Sequence, residues 1–275
     1  MRIPFIKMQG AGNDFVIIDA RSATLPALDW GRIADRNFGI GCDQGIILEP
    51  SSRADIFMRI MNADGSESSA CGNATRCVAW LIANEKKALS ATIETKAGLL
   101  AAEVASQSEI TIDMGMPQLE WQDIPLASAC DTLHLPIRLD ILEDPVAVSM
   151  GNPHMVFFVE QAIAFVPLAQ LGSKLEHHEL FPERTNVEVA KILAPDEIDL
   201  CVWERGSGLT LACGTGACAT LVAARRRGLS ADTANVHLPG GTLRIEWRES
   251  DNRVYMTGAA QTSFEGAFNS SDYLL

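Results

Sequence analysis

Two cysteines of this 275-residue chain stand in the same setting 142 positions apart: Ala70-Cys71-Gly72-Asn73 and Ala212-Cys213-Gly214-Thr215. Each runs into a small, apolar stretch with the spacing of a helix, expected over residues 74–86 and 216–227. A helix N-terminus carries unpaired N–H groups and about half a positive charge, and both favour a thiolate. Gly72 and Gly214 let a ligand approach those N–H groups, and Asn73 and Thr215 offer a side-chain donor at the same mouth. Two matched thiols suit the inversion of a carbon centre, in which one removes a proton and the other returns a proton to the opposite face. If the two helix mouths face one another, a carboxylate sits between them with a sulfur on each side of its α-carbon. The barrier is large, because an α-proton beside a carboxylate is far less acidic than a thiol. A gap of about ten pKa units costs roughly 14 kcal/mol. Fixed dipoles and N–H donors aimed at the developing charge in a dry pocket are the interactions that offset such a cost. His154 and Glu204 are candidates for tuning the thiols, since a proton acceptor beside a cysteine decides which of the pair is ionised.

The elements that must position these groups come in two copies. Asn62 and Glu204 each precede their cysteine by nine residues, and Gln44 and Asn186 share the 142-residue offset. Gly12-Asn13-Asp14-Phe15-Val16 is echoed by Gly151-Asn152-Pro153-His154-Met155-Val156. Two supersecondary copies of about 120–140 residues follow from this register. Strands are expected at 15–19, 45–48, 56–61, 109–113, 146–150, 155–159, 197–203, 242–247 and 253–257. Helices are fewer, over 29–36, 74–86, 161–172 and 216–227. One central helix per strand-rich half implies an α+β fold in which a sheet wraps around a helix. The stretch from Pro117 to Pro125 is the expected crossing between halves.

Composition narrows the function classes. A net charge of −13 argues against nucleic acid and anionic membrane surfaces. The first fourteen residues have polar and acidic breaks where a secretory leader needs an apolar core, and no apolar run is long enough to span a membrane. An odd count of seven cysteines argues for reduced thiols rather than a disulfide framework, with Cys42, Cys77, Cys130, Cys201 and Cys218 as small core residues. The Cys-x5-Cys and Cys-x4-Cys spacings lack histidine partners, so no metal is expected, and no cofactor motif is present. His177-His178 between glutamates and Arg225-Arg226-Arg227 are expected to be solvated.

The chain resembles the diaminopimelate epimerase family, cofactor-independent racemases that use two cysteines. The motifs are Phe5-Ile6-Lys7-Met8-Gln9-Gly10-Ala11-Gly12-Asn13-Asp14-Phe15, Asp43-Gln44, Asn62-Ala63-Asp64-Gly65-Ser66, Cys71-Gly72-Asn73, Gly151-Asn152-Pro153-His154, Arg184-Thr185-Asn186-Val187-Glu188, Glu204-Arg205-Gly206, Ala212-Cys213-Gly214-Thr215-Gly216 and Leu238-Pro239-Gly240-Gly241. Four positions depart from common family usage, Ala74, Thr75, Leu209 and Cys42, and none removes a group the chemistry needs. The resemblance implies interconversion of LL- and meso-diaminopimelate, with Cys71 and Cys213 as the bases and no cofactor. It implies that Gly72, Asn73, Gly214 and Thr215 hold the reacting carboxylate. Asn13, Gln44, Asn62, Asn152, Asn186, Glu204 and Arg205 would grip the distal head of the substrate, and His154 and Glu204 would modulate the thiols. Its fold is two pseudo-symmetric domains, each a strand-rich barrel-like sheet around a central helix: here 1–116 plus 261–275, and 117–260. A cytoplasmic homodimer with Phe264 at the interface is also implied. A sister racemase for another amino acid, such as histidine, and a non-catalytic thiol-redox protein are the alternatives.

Overall fold

The computed structural model describes residues 1–275, which divide into two compact units. The first comprises Met1–Ile112 with Gly258–Leu275, and the second Asp113–Thr257. In chain order the first unit contains β1 (Arg2–Gly10), β2 (Asn13–Asp19), α1 (Trp30–Ala34), β3 (Gln44–Glu49), β4 (Ile56–Asn62), β5 (Glu67–Ser68), α2 (Gly72–Lys86), β6 (Ser90–Thr95), β7 (Gly98–Ser106) and β8 (Glu109–Asp113). The second contains a small pair, β9 (Arg138–Leu139) and β10 (Leu142–Glu143), then β11 (Val146–Ser149), β12 (Pro153–Phe158), α3 (Leu168–Glu176), β13 (Asn186–Ala194), β14 (Glu197–Glu204), β15 (Gly208–Thr210), α4 (Gly214–Arg226), β16 (Thr233–Leu238), β17 (Gly241–Arg248) and β18 (Arg253–Gly258). A last strand, β19 (Gln261–Asn269), pairs antiparallel with β1 in the first unit.

The repeat in the sequence is a repeat in strand pairing. In the first unit β1–β2 is antiparallel, β2–β3 parallel, β3–β4 and β4–β5 antiparallel, β4–β6 parallel, and β6–β7 antiparallel. The second unit runs the same series through β11–β12, β12–β13, β13–β14, β14–β15, β14–β16 and β16–β17. Even the register is kept: Phe15 faces Gln44 as His154 faces Asn186.

Each unit closes over one helix. α2 packs on β1, β2, β6 and β7, and α4 packs on β11, β12, β13, β16 and β17. Both are made of small residues at the points of contact, Ala74, Cys77, Ala79 and Ala83 in α2 and Ala217, Cys218, Ala219, Ala223 and Ala224 in α4, all buried. A helix buried on most sides has no single apolar stripe, and small side chains let strands approach it closely. Val78, Ile82, Leu221 and Val222 add the bulk, each worth about 1.5–3 kcal/mol of burial.

The strand-rich α+β expectation holds, with corrections at particular elements. β1, β6, β7, β13, β16 and β19 lie outside the expected strands; β6 and β16 do alternate, but on small or polar residues such as Ala91, Thr92, Ala234 and Asn235, while the others lack a clean two-residue alternation. β1 contains Pro4 and a buried Lys7, β7 is rich in alanine, and β13 buries Asn186 and Glu188 among valines. β19 is polar and mostly exposed. The helix expected over 161–172 is instead a 3-10 turn at Ile163–Phe165, a break at Pro167, and α3 beginning at Leu168. The cap at Pro167 explains the shift, because proline is tolerated at a helix start and not within it. Cys42, Cys77 and Cys218 are buried, whereas Cys130 and Cys201 are half-buried. The arginine run is not simply solvated: Arg226 reaches Ala147 O and Thr132 Oγ1, and Arg227 bonds Leu133 O and Asp144. Glu176, beside the histidine pair, is buried and accepts from Trp203 Nε1 and the Gly206 N–H.

Candidate active site

Both cysteines are the N-cap residues of their helices, extended in backbone with the helix beginning at the following glycine. Each carbonyl already accepts the first helical bond, from Thr75 N and Ala217 N, so each sulfur is held at the dipole end of a buried helix. The sequence places the helix starts two residues too late, because glycine scores poorly as a helix former even where it follows a cap.

Around Cys71 the organising residue is Asn13. A two-residue turn with both residues left-handed, Ala11 at φ 53° and Gly12 at φ 80°, brings β1 back as β2 and sets Asn13 at its head. Asn13 donates its amide hydrogen to Asp43 Oδ2 at 2.8 Å. A carboxylate only accepts, so Asn13 Oδ1 faces the helix mouth, 3.7 Å from Cys71 Sγ and 3.3 Å from Asn73 Nδ2. Arg76, buried in α2, in turn holds Asn73 Oδ1 at 3.0 Å and reaches Ala259 O. A Cβ at Gly10 would stand 3.0 Å from Arg76 Nη2, so glycine makes the room. Behind Asp43 lies a clamp: Arg36 bridges Asp43 and Asp14, and Lys7 pairs with Asp14 and Gly41 O. Burial works to raise the Asp14 carboxyl, but hydrogen bonds and charge from Arg36 and Lys7 outweigh it and hold it at about 2. Gln44 and Asn62 are cross-strand partners, Gln44 Nε2 donating to Asn62 Oδ1 at 2.8 Å.

Around Cys213 the groups are different. The sulfur accepts from Gly216 N–H at 3.4 Å and lies 3.5 Å from Thr215 Oγ1. Asn152 Nδ2 reaches Thr215 Oγ1 at 3.4 Å, and Asn152 Oδ1 lies 3.1 Å from His154 Nε2. His154 and Glu188 are fully buried and paired at 2.7 Å. Burial pushes the Cys213 thiol well up, and the charges of Glu204 and Glu188 push it further, against the bonds from Thr215 and Gly216. Glu204 accepts from Thr210 Oγ1. Asn186 donates to Pro153 O and accepts from the Arg205 N–H, tying the ends of β12 and β14 together. The Arg205 guanidinium is exposed and bonds the Glu183 carbonyl.

In the first unit the structure therefore gathers Cys71, Gly72, Asn73 and Asn13, with Gln44 bonded to Asn62. In the second it gathers Cys213, Gly214, Thr215, Asn152 and His154, with Glu204 close enough to raise the Cys213 thiol and Asn186 bonded to the Arg205 backbone. The residues to which sequence reasoning gave no role are those behind this layer: Asp43, Asp14, Arg36, Lys7 and Arg76 in the first unit, Glu188 in the second. Glu188 did leave a trace, a lone carboxylate inside the run Asn186-Val187-Glu188-Val189-Ala190. Phe264, on β19, is half-exposed and packs edge-on against Phe5. No helix is long and apolar enough to cross a membrane.

Solved structures share this architecture. A phenazine biosynthesis protein of the PhzF family from Bacillus anthracis superposes with a TM-score of 0.72 at 18% identity, covering 98% of this chain and 99% of that one. A probable proline racemase from Agrobacterium radiobacter, with bound carbonate, gives 0.69 at 15% identity over 97% and 93%. The fold class is thus the two-unit, helix-in-sheet fold common to these proteins. The family model for diaminopimelate epimerase matches residues 5–120 and 146–263. A diaminopimelate epimerase from Acidiphilium cryptum is 54% identical over 271 residues, 98% of this chain and 97% of that protein. Another, from the Wolbachia of Drosophila simulans, is 50% identical over 256 residues, 92% of this chain and 95% of its own length. The chain belongs to the diaminopimelate epimerase family.

Proposed function

We infer that the protein is an isomerase that interconverts LL- and meso-2,6-diaminopimelate without a cofactor, a step towards lysine and peptidoglycan precursors. The observation that carries the reading is a cysteine at the N-cap of the buried helix in each of two repeated units, in a chain of this family. One thiolate takes the α-proton and becomes a thiol; the electron pair passes onto the α-carbon and its carboxylate. The other thiol then gives its proton to the opposite face and is left as a thiolate, so proton and charge balance over a turnover. Gly72, Asn73, Gly214 and Thr215 hold the reacting carboxylate in this reading, where their N–H and side-chain donors meet the charge as it develops. Asn13, Gln44, Asn62, Asn152, Asn186, Glu204 and Arg205 grip the distal head. The exposed guanidinium of Arg205 suits a second carboxylate, which a bidentate arginine binds well. His154 and Glu204 set the balance of the thiols. Incubation with LL-diaminopimelate in deuterated water should yield meso product labelled at one α-carbon. Absence of both label and meso isomer would overturn the reading.

A cytoplasmic homodimer is part of the proposal. Seven free thiols suit a reducing compartment. For the dimer, Phe264 stands exposed on the nine-residue strand β19, and an exposed aromatic on such a strand favours association. Sedimentation of the wild type against Phe264→Asp checks it: loss of a dimer in the variant is expected, and a monomeric wild type would refute it.

A further inference from the structure

Glu188 is a fully buried carboxyl that the two-thiol reaction does not itself use. Its Oε1 lies 2.7 Å from His154 Nδ1, and its Oε2 has no hydrogen-bond partner. From His154 a chain of hydrogen bonds leads to a sulfur: His154 Nε2 to Asn152 Oδ1 at 3.1 Å, Asn152 Nδ2 to Thr215 Oγ1 at 3.4 Å, and Thr215 Oγ1 to Cys213 Sγ at 3.5 Å. The sequence has left room for the carboxyl there. A Cβ at Gly216 would stand 2.9 Å from Glu188 Oε1 and 3.3 Å from Cys213 Sγ.

The chain has a direction. Asn152 presents its carbonyl oxygen to His154 Nε2, so Nε2 must carry a hydrogen. A second hydrogen then lies between Glu188 Oε1 and His154 Nδ1. With both hydrogens in place the Asn152 amide donates to Thr215 Oγ1, and the threonine hydroxyl is free to donate to Cys213. Remove one, and the remaining hydrogen settles on Nδ1 against the Glu188 carboxylate, leaving Nε2 bare. Asn152 must then turn its NH2 group to Nε2 and its carbonyl to Thr215, drawing the hydroxyl hydrogen away from sulfur. The surroundings favour the first arrangement. Burial raises the Glu188 carboxyl, His154 and the Met155 N–H from β12 oppose, the Glu204 charge from β14 adds to the rise, and the net shift is upward. The orphaned Oε2 adds to the cost of a full carboxylate. Cys213, at the mouth of α4, is the other titratable group facing it.

We propose that Glu188 is a positioning residue: sharing a hydrogen with His154, it fixes the polarity of this chain so that Thr215 turns its hydroxyl hydrogen to Cys213, which with the Gly216 N–H eases the ionisation of that thiol. Burial and the nearby carboxylates otherwise oppose it. The inference rests on the reading of Cys213 as one of the two bases. It opposes the expectation from charge alone, under which removing Glu188 would ease ionisation of Cys213.

The test separates the two. Histidine nitrogen NMR of the substrate-free enzyme, with His154 assigned by its loss in His154→Asn, should show hydrogen on Nε2 at neutral pH. A bare Nε2 with hydrogen on Nδ1 would overturn the proposal whatever the enzyme's activity. Glu188→Ala should lower kcat about tenfold or more, because the Cys213 thiol then ionises less readily, with KM nearly unchanged. Glu188→Gln, whose amide can donate to Nδ1, should restore most of that loss and flatten the fall in rate at high pH. An unchanged or higher kcat in Glu188→Ala would overturn the proposal, and so would equal losses in Ala and Gln variants that both keep the wild-type urea midpoint. Failure of the epimerase reading looks different, since Cys213→Ser would then leave turnover intact while the NMR outcome still decides the role of Glu188.

Discussion

The amide of Asn13 turns its oxygen to Cys71 because Asp43 claims its NH2 group. That oxygen accepts from a thiol and repels a thiolate, whereas Cys213 receives an N–H. The two sulfurs thus meet different groups, an amide oxygen at Cys71 and a backbone N–H at Cys213. Asp43→Ala removes the acceptor that fixes Asn13, and kcat should fall about tenfold, the size of one neutral hydrogen bond misdirected, with KM moving far less. A raised KM at unchanged kcat in steady-state assays would leave Asn13 only its grip on the distal head and no part in orienting Cys71. Asp14, behind Asp43, gives a stability prediction. Its carboxyl is depressed from the ordinary 3.8 to about 2, so it contributes stability that is fully present above pH 4 and lost as pH falls towards 2. The Asp14 side chain is 16% exposed, and solvent screening trims the contribution to about 1–2 kcal/mol. Urea midpoints at pH 5 and pH 3 should drop more for the wild type than for Asp14→Asn; equal drops would remove Asp14 from the acid response.

At the scale of elements, glycines set how close strands and helices come to the site. The Trp30 ring of α1 lies over Gly45, next to Gln44, and a Cβ there would stand 1.9 Å from the ring. Gly45→Ala should cost about 1–3 kcal/mol in urea unfolding, the usual penalty of overpacking; a cost below about 0.5 kcal/mol would mean that α1 simply shifts. Gly216 makes the opposite case. Alanine is the better helix former by about 1 kcal/mol, yet its Cβ would crowd Glu188 and the Cys213 sulfur. Gly216→Ala should therefore lose activity well out of proportion to any change in stability, and a variant with wild-type kcat would show that the first turn of α4 tolerates the methyl. The same elements mark how far the sequence can be read. Both buried helices and nine strands are legible from apolar runs and turn residues. β1, β13 and β19 are not, because Lys7, Glu188 and the polar face of β19 break the alternation, and each does so for a tertiary reason. In the site, the residues at the helix mouths are legible from type and spacing. The carboxylates that orient them are not, since nothing local distinguishes Asp43 or Glu188 from a solvated acid until the strands bring Asn13 and His154 against them.

Across the whole molecule, the two units repeat one pairing series in one register, down to Phe15 opposite Gln44 and His154 opposite Asn186. What fills the equivalent positions is not repeated. A phenylalanine stands where the other unit has a buried histidine, and an asparagine, Asn62, where the other has Glu204. The repeated backbone sets a cysteine at each helix mouth, and in the proposed reaction the unlike side chains around them decide which is charged. Two acid–base groups of equal placement and unequal protonation should leave separable half-reactions. Serine is too weak an acid to replace either thiol, so Cys71→Ser and Cys213→Ser should each abolish inversion, by a factor of about 10³ or more. Each variant keeps one cysteine, and that cysteine can still take a proton from the isomer whose α-hydrogen faces it and return one from solvent to the same face. In deuterated water the two variants should therefore wash label into opposite isomers, one into LL- and the other into meso-diaminopimelate, with no change of configuration in either. If both variants exchange the same isomer, or one of them still inverts it, a single base serves both faces and the symmetry of the two units has no part in the chemistry.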